Sequence, residues 1–225
     1  GVENMGVFTA NGPATLYHNN IAKIATTTTG VDVTGDVSVT NGDLSEVLIS
    51  QIVPSGGQII IDFDNLPTTY DTYRFDFNLD VVAANNEIYV RVINNIGGVV
   101  ADSAAYFYDK LTNGTRSFVG SGDSAIQICS STSGANDNRG IRGSMYLYGR
   151  NMNFGSTAPT MPMFTWSLCN LNNTGAHETV TGGASVNPAG ALNFQLGMRG
   201  VRFYSSTNFN SQGFISVYGI RSTPV

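Results

Sequence analysis

Charge is scarce in this chain. Lysine occurs twice, at Lys23 and Lys110, histidine twice, and all charged residues together make up 12% of 225 residues. A disordered chain would be richer in charge and poorer in apolar residues than one with 41% hydrophobic residues and a mean hydropathy of −0.02. Strong helix formers are few, which argues against a helical bundle or coiled coil. No apolar run approaches the ~18 residues of a membrane-spanning helix, so no membrane insertion is expected. Eleven Lys and Arg stand against 16 Asp and Glu, for a net charge of −5. Phosphate neutralisation needs clustered cations, so nucleic acid is not an expected partner. Two cysteines, Cys129 and Cys169, make no disulfide framework and are expected as free thiols. The chain opens on Gly1, as a processed or shortened chain would, and no signal peptide is visible in it.

What the chain has in abundance is turn chemistry, with 26 Gly and 23 Asn. The glycines have no period of three, so a collagen helix is excluded. Two textures follow one another. Residues 1–52 are polar and Thr-rich, with few bulky aromatics, and read as an N-terminal β-stem. Residues 53–225 carry nearly all the Phe and Tyr and the single Trp. Val53-Pro54-Ser55-Gly56-Gly57 reads as the hinge between them. In the second region Tyr73, Phe75, Phe77 and Leu79 alternate with polar residues. So do Ile88, Val90 and Val92, and Phe164, Trp166 and Leu168. A period of two places each set on one strand face. Asn-Gly and Gly-Gly pairs, such as Asn113-Gly114 and Gly182-Gly183, read as turns. Roughly eight strands punctuated in this way predict an all-β fold, an antiparallel β-sandwich of jelly-roll type.

The first region holds a short repeat, Val31-Asp32-Val33-Thr34 and then Val37-Ser38-Val39-Thr40. Such a unit cannot bury its apolar side alone but can when stacked on copies. The expectation is an intertwined threefold stem with Leu16, Ile21, Ile24, Val31, Val33, Val37 and Val39 towards the axis. The alternative is a hairpin packed on the main domain.

Residues 16–35 resemble a segment common in tailed-bacteriophage fibre proteins. Leu16-Tyr17, Lys23, Thr26 to Thr29, Gly30, Val31, Val33 and Gly35 match it. Ala14-Thr15, Ile21-Ala22 and the single Lys depart from it. Residues 213–220 are similar to the last strand of phage tip domains. The resemblance implies a homotrimeric stalk before a host-contacting tip. It also implies attachment to other virion proteins through the N-terminal side, and a place on the tail or capsid surface after synthesis in the bacterial cytoplasm.

Catalytic constellations are sparse. No HExxH, CxxC, Gly-x-Ser-x-Gly or phosphate-cradling loop occurs. His18 and His177 read as surface residues. Asp62 and Asp64 flank Phe63 and would share a strand face, where like charges could raise one pKa as a general acid requires. Asp137 lies among oxygen-bearing residues but reads as a solvated turn rather than a calcium site. The chain is therefore expected to be non-enzymatic, with no cofactor and no metal. Recognition is placed on polar loops at residues 130–142, 171–186 and 205–213. Their candidate contacts are Asn136, Asp137, Asn138, Arg139, His177, Glu178, Tyr204 and Phe209. Trp166 is placed in the core and Met161-Pro162-Met163 at its edge. The expected ligand is a host-surface glycan or envelope component. The alternatives are a structural head-fibre or decoration protein and, third, a polysaccharide depolymerase.

Overall fold

The computed structural model describes residues 4–35, 46–81, 86–94, 106–132, 140–149, 162–171, 177–186 and 198–221, which contain strands and no helix. The chain divides into two compact units between Leu44 and Ser45.

The first unit is an antiparallel meander of β1 (Gly6–Phe8), β2 (Ala14–His18), β3 (Ile21–Thr26) and β4 (Val31–Val33), paired in chain order. Asn19 and Asn20 close the β2–β3 hairpin with φ of 52° and 59°, the left-handed pair that a two-residue hairpin needs. Leu16 lies opposite Ile24, and Ile24 opposite Val33; Thr26 lies opposite Val31. A bulge in β3 then sets Ile21 opposite His18. Because opposed residues share a face and β2 alternates regularly, Leu16, Ile21, Ile24, Val31 and Val33 fall on the same side. All five are exposed in the single chain. Val37 and Val39 lie outside the described residues.

The second unit is a β-sandwich. Its strands are β5 (Glu46–Ile52), β6 (Ile60–Phe63), β7 (Thr72–Leu79), β8 (Asn86–Asn94), β9 (Tyr106–Thr112) and β10 (Thr115–Asp123), then β11 (Ile126–Thr132), β12 (Ile141–Tyr148), β13 (Met163–Leu171), β14 (His177–Val186), β15 (Met198–Ser205) and β16 (Phe214–Ile220). The larger sheet has the order β10-β9-β14-β13-β12-β7-β16-β5 and the smaller β11-β8-β15-β6. Every pairing is antiparallel, and neither sheet closes on itself. Eight strands, ordered β5-β16-β7-β12 and β6-β15-β8-β11, make the jelly roll. The hairpins β9–β10 and β13–β14 are inserted into that sequence and extend the larger sheet beyond β12.

The boundary therefore falls earlier than the composition shift suggested. β5, expected in the stem, pairs along β16, and Arg74 of β7 reaches across the Tyr218 ring to donate to Glu46 at 2.5 Å. The stretch from Val53 to Gly57 is a turn inside the sandwich, with Gly56 and Gly57 at positive φ.

Tyr73, Phe75, Phe77 and Leu79 are all but fully buried, as their alternation predicts, together with Ile88, Val90, Val92, Phe164, Trp166 and Leu168. Their centre is Phe203, whose ring meets Phe75 at 5.5 Å, Phe77 at 5.8 Å and Phe63 at 6.2 Å. Burying the β7 face alone is worth ~6–10 kcal/mol before chain entropy is subtracted. Phe209 corrects an expectation. It is completely buried rather than offered to a ligand, because its N–H donates to the Gln58 carbonyl at 2.7 Å and it bridges to Val81.

Asp80, just after β7, is also buried, and its Oδ1 has no hydrogen-bond partner among the described residues. Desolvation raises its pKa, offset in part by the charge of Arg142. Its ionised form is thus disfavoured in the fold. That cost is fully present above the folded pKa and gone below the unfolded one. Asp80→Asn is expected to raise the thermal midpoint at pH 7, with the gain fading as pH falls towards 4. A gain that holds or grows on acidification would show that the charge is not the cause.

Candidate functional site

Two adjacent glycines in the middle of β14 face opposite ways. Gly182 lies opposite Trp166 on one side and Lys110 on the other, and points into the sandwich. A Cβ there would sit 2.5 Å from Trp166 Cε2 and 2.7 Å from the Asp109 carbonyl oxygen. The indole lies across the glycine because a side chain is missing. Neither glycine is the turn that Gly-Gly suggested. What Gly182 supplies is close approach, not positive φ.

Gly183 faces outward, opposite Thr165 and Asp109. A Cβ there would meet only the Phe164 carbonyl oxygen, at 3.8 Å. The missing side chain floors an open depression of about 360 Å³ walled by Phe107, Phe118, Met163, Thr165, Ser185 and Asp109. Phe118 is 68% exposed and Met163 54%, so the wall is apolar and accessible. Met163, expected at the core edge, belongs to this surface. Arg116 stands beside it, donating to Asp109 at 2.8 Å with its guanidinium 6.0 Å from the Phe118 ring. That bond holds the Asp109 carboxyl below the usual carboxylate range. Ring faces for C–H contact, two hydroxyls and a guanidinium–carboxylate pair converge on one shallow hollow. Four strands, from two hairpins distant in sequence, build it, and its floor is an absence, so no motif announced it.

The expected contacts fare differently. Asn136, Asp137, Asn138 and Arg139 lie outside the described residues. His177 is exposed but begins β14 rather than lying in a loop, and Glu178 faces Asn170 across the ladder, accepting from its Nδ2 at 3.3 Å. Tyr204 is no free ring. It stacks on Tyr89 at 5.1 Å and 15° on one face, and the Arg91 guanidinium lies 4.5 Å away over the ring. Arg91 is itself fixed by donating from Nε to the Ser124 carbonyl at 2.9 Å. Asp62 and Asp64 each pair with an arginine. Arg202 forks onto Asp62 at 2.7 and 2.6 Å. Arg199 forks onto Asp64, whose pKa it lowers. The two cysteines are not joined in a disulfide; Cys129 is buried and Cys169 exposed. Among the described residues no three His, Cys, Asp or Glu side chains group as metal ligands.

A polar chain that composition did not announce links the edge of the smaller sheet to the larger one. Lys110 of β9 is only 6% exposed. Its Nζ donates to Gln127 Oε1, and Gln127 Nε2 donates to Glu87 Oε1 at 2.6 Å. The Tyr89 hydroxyl donates to the other Glu87 oxygen, and burial with that bond pushes its pKa up to about 12. The Tyr108 hydroxyl donates to Asp123 at 2.9 Å.

These features define a jelly-roll sandwich with an open, partly apolar hollow on its larger sheet. No protein family, no curated protein and no solved structure matches the chain.

Proposed function

We propose that this chain is a non-enzymatic, trimeric virion fibre protein whose sandwich binds a host-surface glycan during phage adsorption. The hollow over Gly183 carries the reading. A pyranose ring presents C–H groups to Phe107 and Phe118 and hydroxyls to Thr165, Ser185 and the Arg116–Asp109 pair. Aromatic contact of this kind is worth ~1 kcal/mol per ring, which threefold repetition multiplies through avidity. The resemblance of residues 16–35 to phage fibre segments and the shared apolar face of the meander support the trimeric part.

The test is binding of the purified full chain to bacterial envelope polysaccharides, with Gly183→Leu beside it. The leucine occupies the hollow without touching the core, so binding is expected to fall ~10-fold or more, about 1.4 kcal/mol per site, at an unchanged thermal midpoint. Equal binding by the two proteins would remove the site, and failure of the wild type on every polysaccharide would remove the glycan.

A further inference from the structure

The Lys110–Gln127–Glu87 chain has no part in the proposed hollow, and it is more than a set of satisfied polar groups. An amine is held against a carboxamide, and the amide's nitrogen is held against a carboxyl group. Lys110 belongs to the larger sheet and Gln127 to β11 at the edge of the smaller, so the contact ties the two sheets together. A register shift in β11 directly after Gln127 is the kind of irregularity that re-aims a side chain.

We propose that Lys110 and Gln127 join spontaneously in the folded chain as an intramolecular isopeptide bond, with Glu87 as the proton carrier. The Nζ lone pair attacks Gln127 Cδ, and the new N–C bond forms as the Cδ–Nε2 bond breaks. The proton released by Nζ reaches Nε2 through the Glu87 carboxyl, which lies 2.6 Å from that nitrogen, and ammonia leaves. One amine and one primary amide become one secondary amide and ammonia, with no oxidant or reductant involved. Burial favours the step because desolvation lowers the Lys110 pKa and enlarges its neutral, nucleophilic fraction. The charges of Cys129, Glu87, Asp123 and Glu178 oppose that shift, so the reaction is expected to run faster as pH rises. The fold supplies proximity and orientation, as intramolecular reactions require.

Intact-mass spectrometry of the folded full chain decides the matter. The expected mass is one ammonia below that of the sequence. Digestion is expected to yield a branched peptide joining Lys110 to Gln127. Glu87→Gln, which keeps the side-chain shape, is expected to retain the full mass when folded. Gln127→Met removes the acceptor and serves the same purpose should Glu87→Gln fail to fold. A folded wild-type chain that keeps its full mass after prolonged incubation at alkaline pH overturns the proposal. So does an ammonia loss that maps to Asn113-Gly114 as a succinimide, with Lys110 still free.

Discussion

Gly182→Ala is expected to lower the thermal midpoint by about 6–12 °C, the shift that ~3 kcal/mol produces in a chain of this size. The added methyl would sit 2.5 Å from Trp166 Cε2 and 2.7 Å from the Asp109 carbonyl oxygen. The indole can retreat only into Leu168, Phe164 and the other buried side chains of the core, and the carbonyl belongs to a ladder bonded on both sides. Interiors are packed too closely to absorb such an overlap. Gly183→Ala is the control one residue away. Its Cβ meets ordinary contact at 3.8 Å, and alanine costs the unfolded chain less freedom than glycine gives, so stability is expected to hold or rise by ~0.5 kcal/mol. Thermal melts of the two proteins side by side check the claim. Equal melts would mean that Trp166 does not depend on the missing side chain.

The second large effect concerns assembly. Light scattering of the full chain is expected to give three times the chain mass of 23.9 kDa, and Ile24→Asp is expected to return it to one. Ile24 lies between Leu16 and Val33 in adjacent strands, at the middle of the exposed apolar face. Covering that face is worth about 5 kcal/mol gross per chain, at ~1 kcal/mol for each half-exposed side chain. A buried, unpaired aspartate in each of three copies would outweigh that gain. The sandwich, a separate compact unit, is expected to melt as before, which separates loss of assembly from loss of fold. A wild-type chain that scatters as a monomer would end the trimer.

How much of this could be read from the letters depended on what filled the inward positions. β7, β8 and β13 carry large apolar groups at every second residue, and there alternation led directly to the strand and its buried face. β9 and β14 are as regular in the fold, but their inward positions include Lys110, Gly182 and Ala184. The period is present and its hydrophobic contrast is not, so β14 read as a loop. Gly182-Gly183 has the letters of a turn. Only the partner across the ladder, Trp166, reveals that glycine is needed for space. Phe209 sits among Ser, Thr and Asn and looked exposed, until backbone bonds to Gln58 and Val81 drew it inward. The hollow was the least legible feature, since its walls come from β9, β10, β13 and β14 and its floor has no side chain to name.

β5, where the sandwich begins, and β10, which bears Phe118, are the opposite margins of the larger sheet. A pull between them would act across the strands, along the inter-strand hydrogen bonds. Eight strands make seven ladders in series, and such a series is as strong as its weakest member. The five inner ladders run without a break in register, while the two outermost, β10–β9 and β16–β5, each contain one. Under tension the sheet would fray from its margins and leave its six inner strands paired, so that the loosened β5 and β10 could zip back on release.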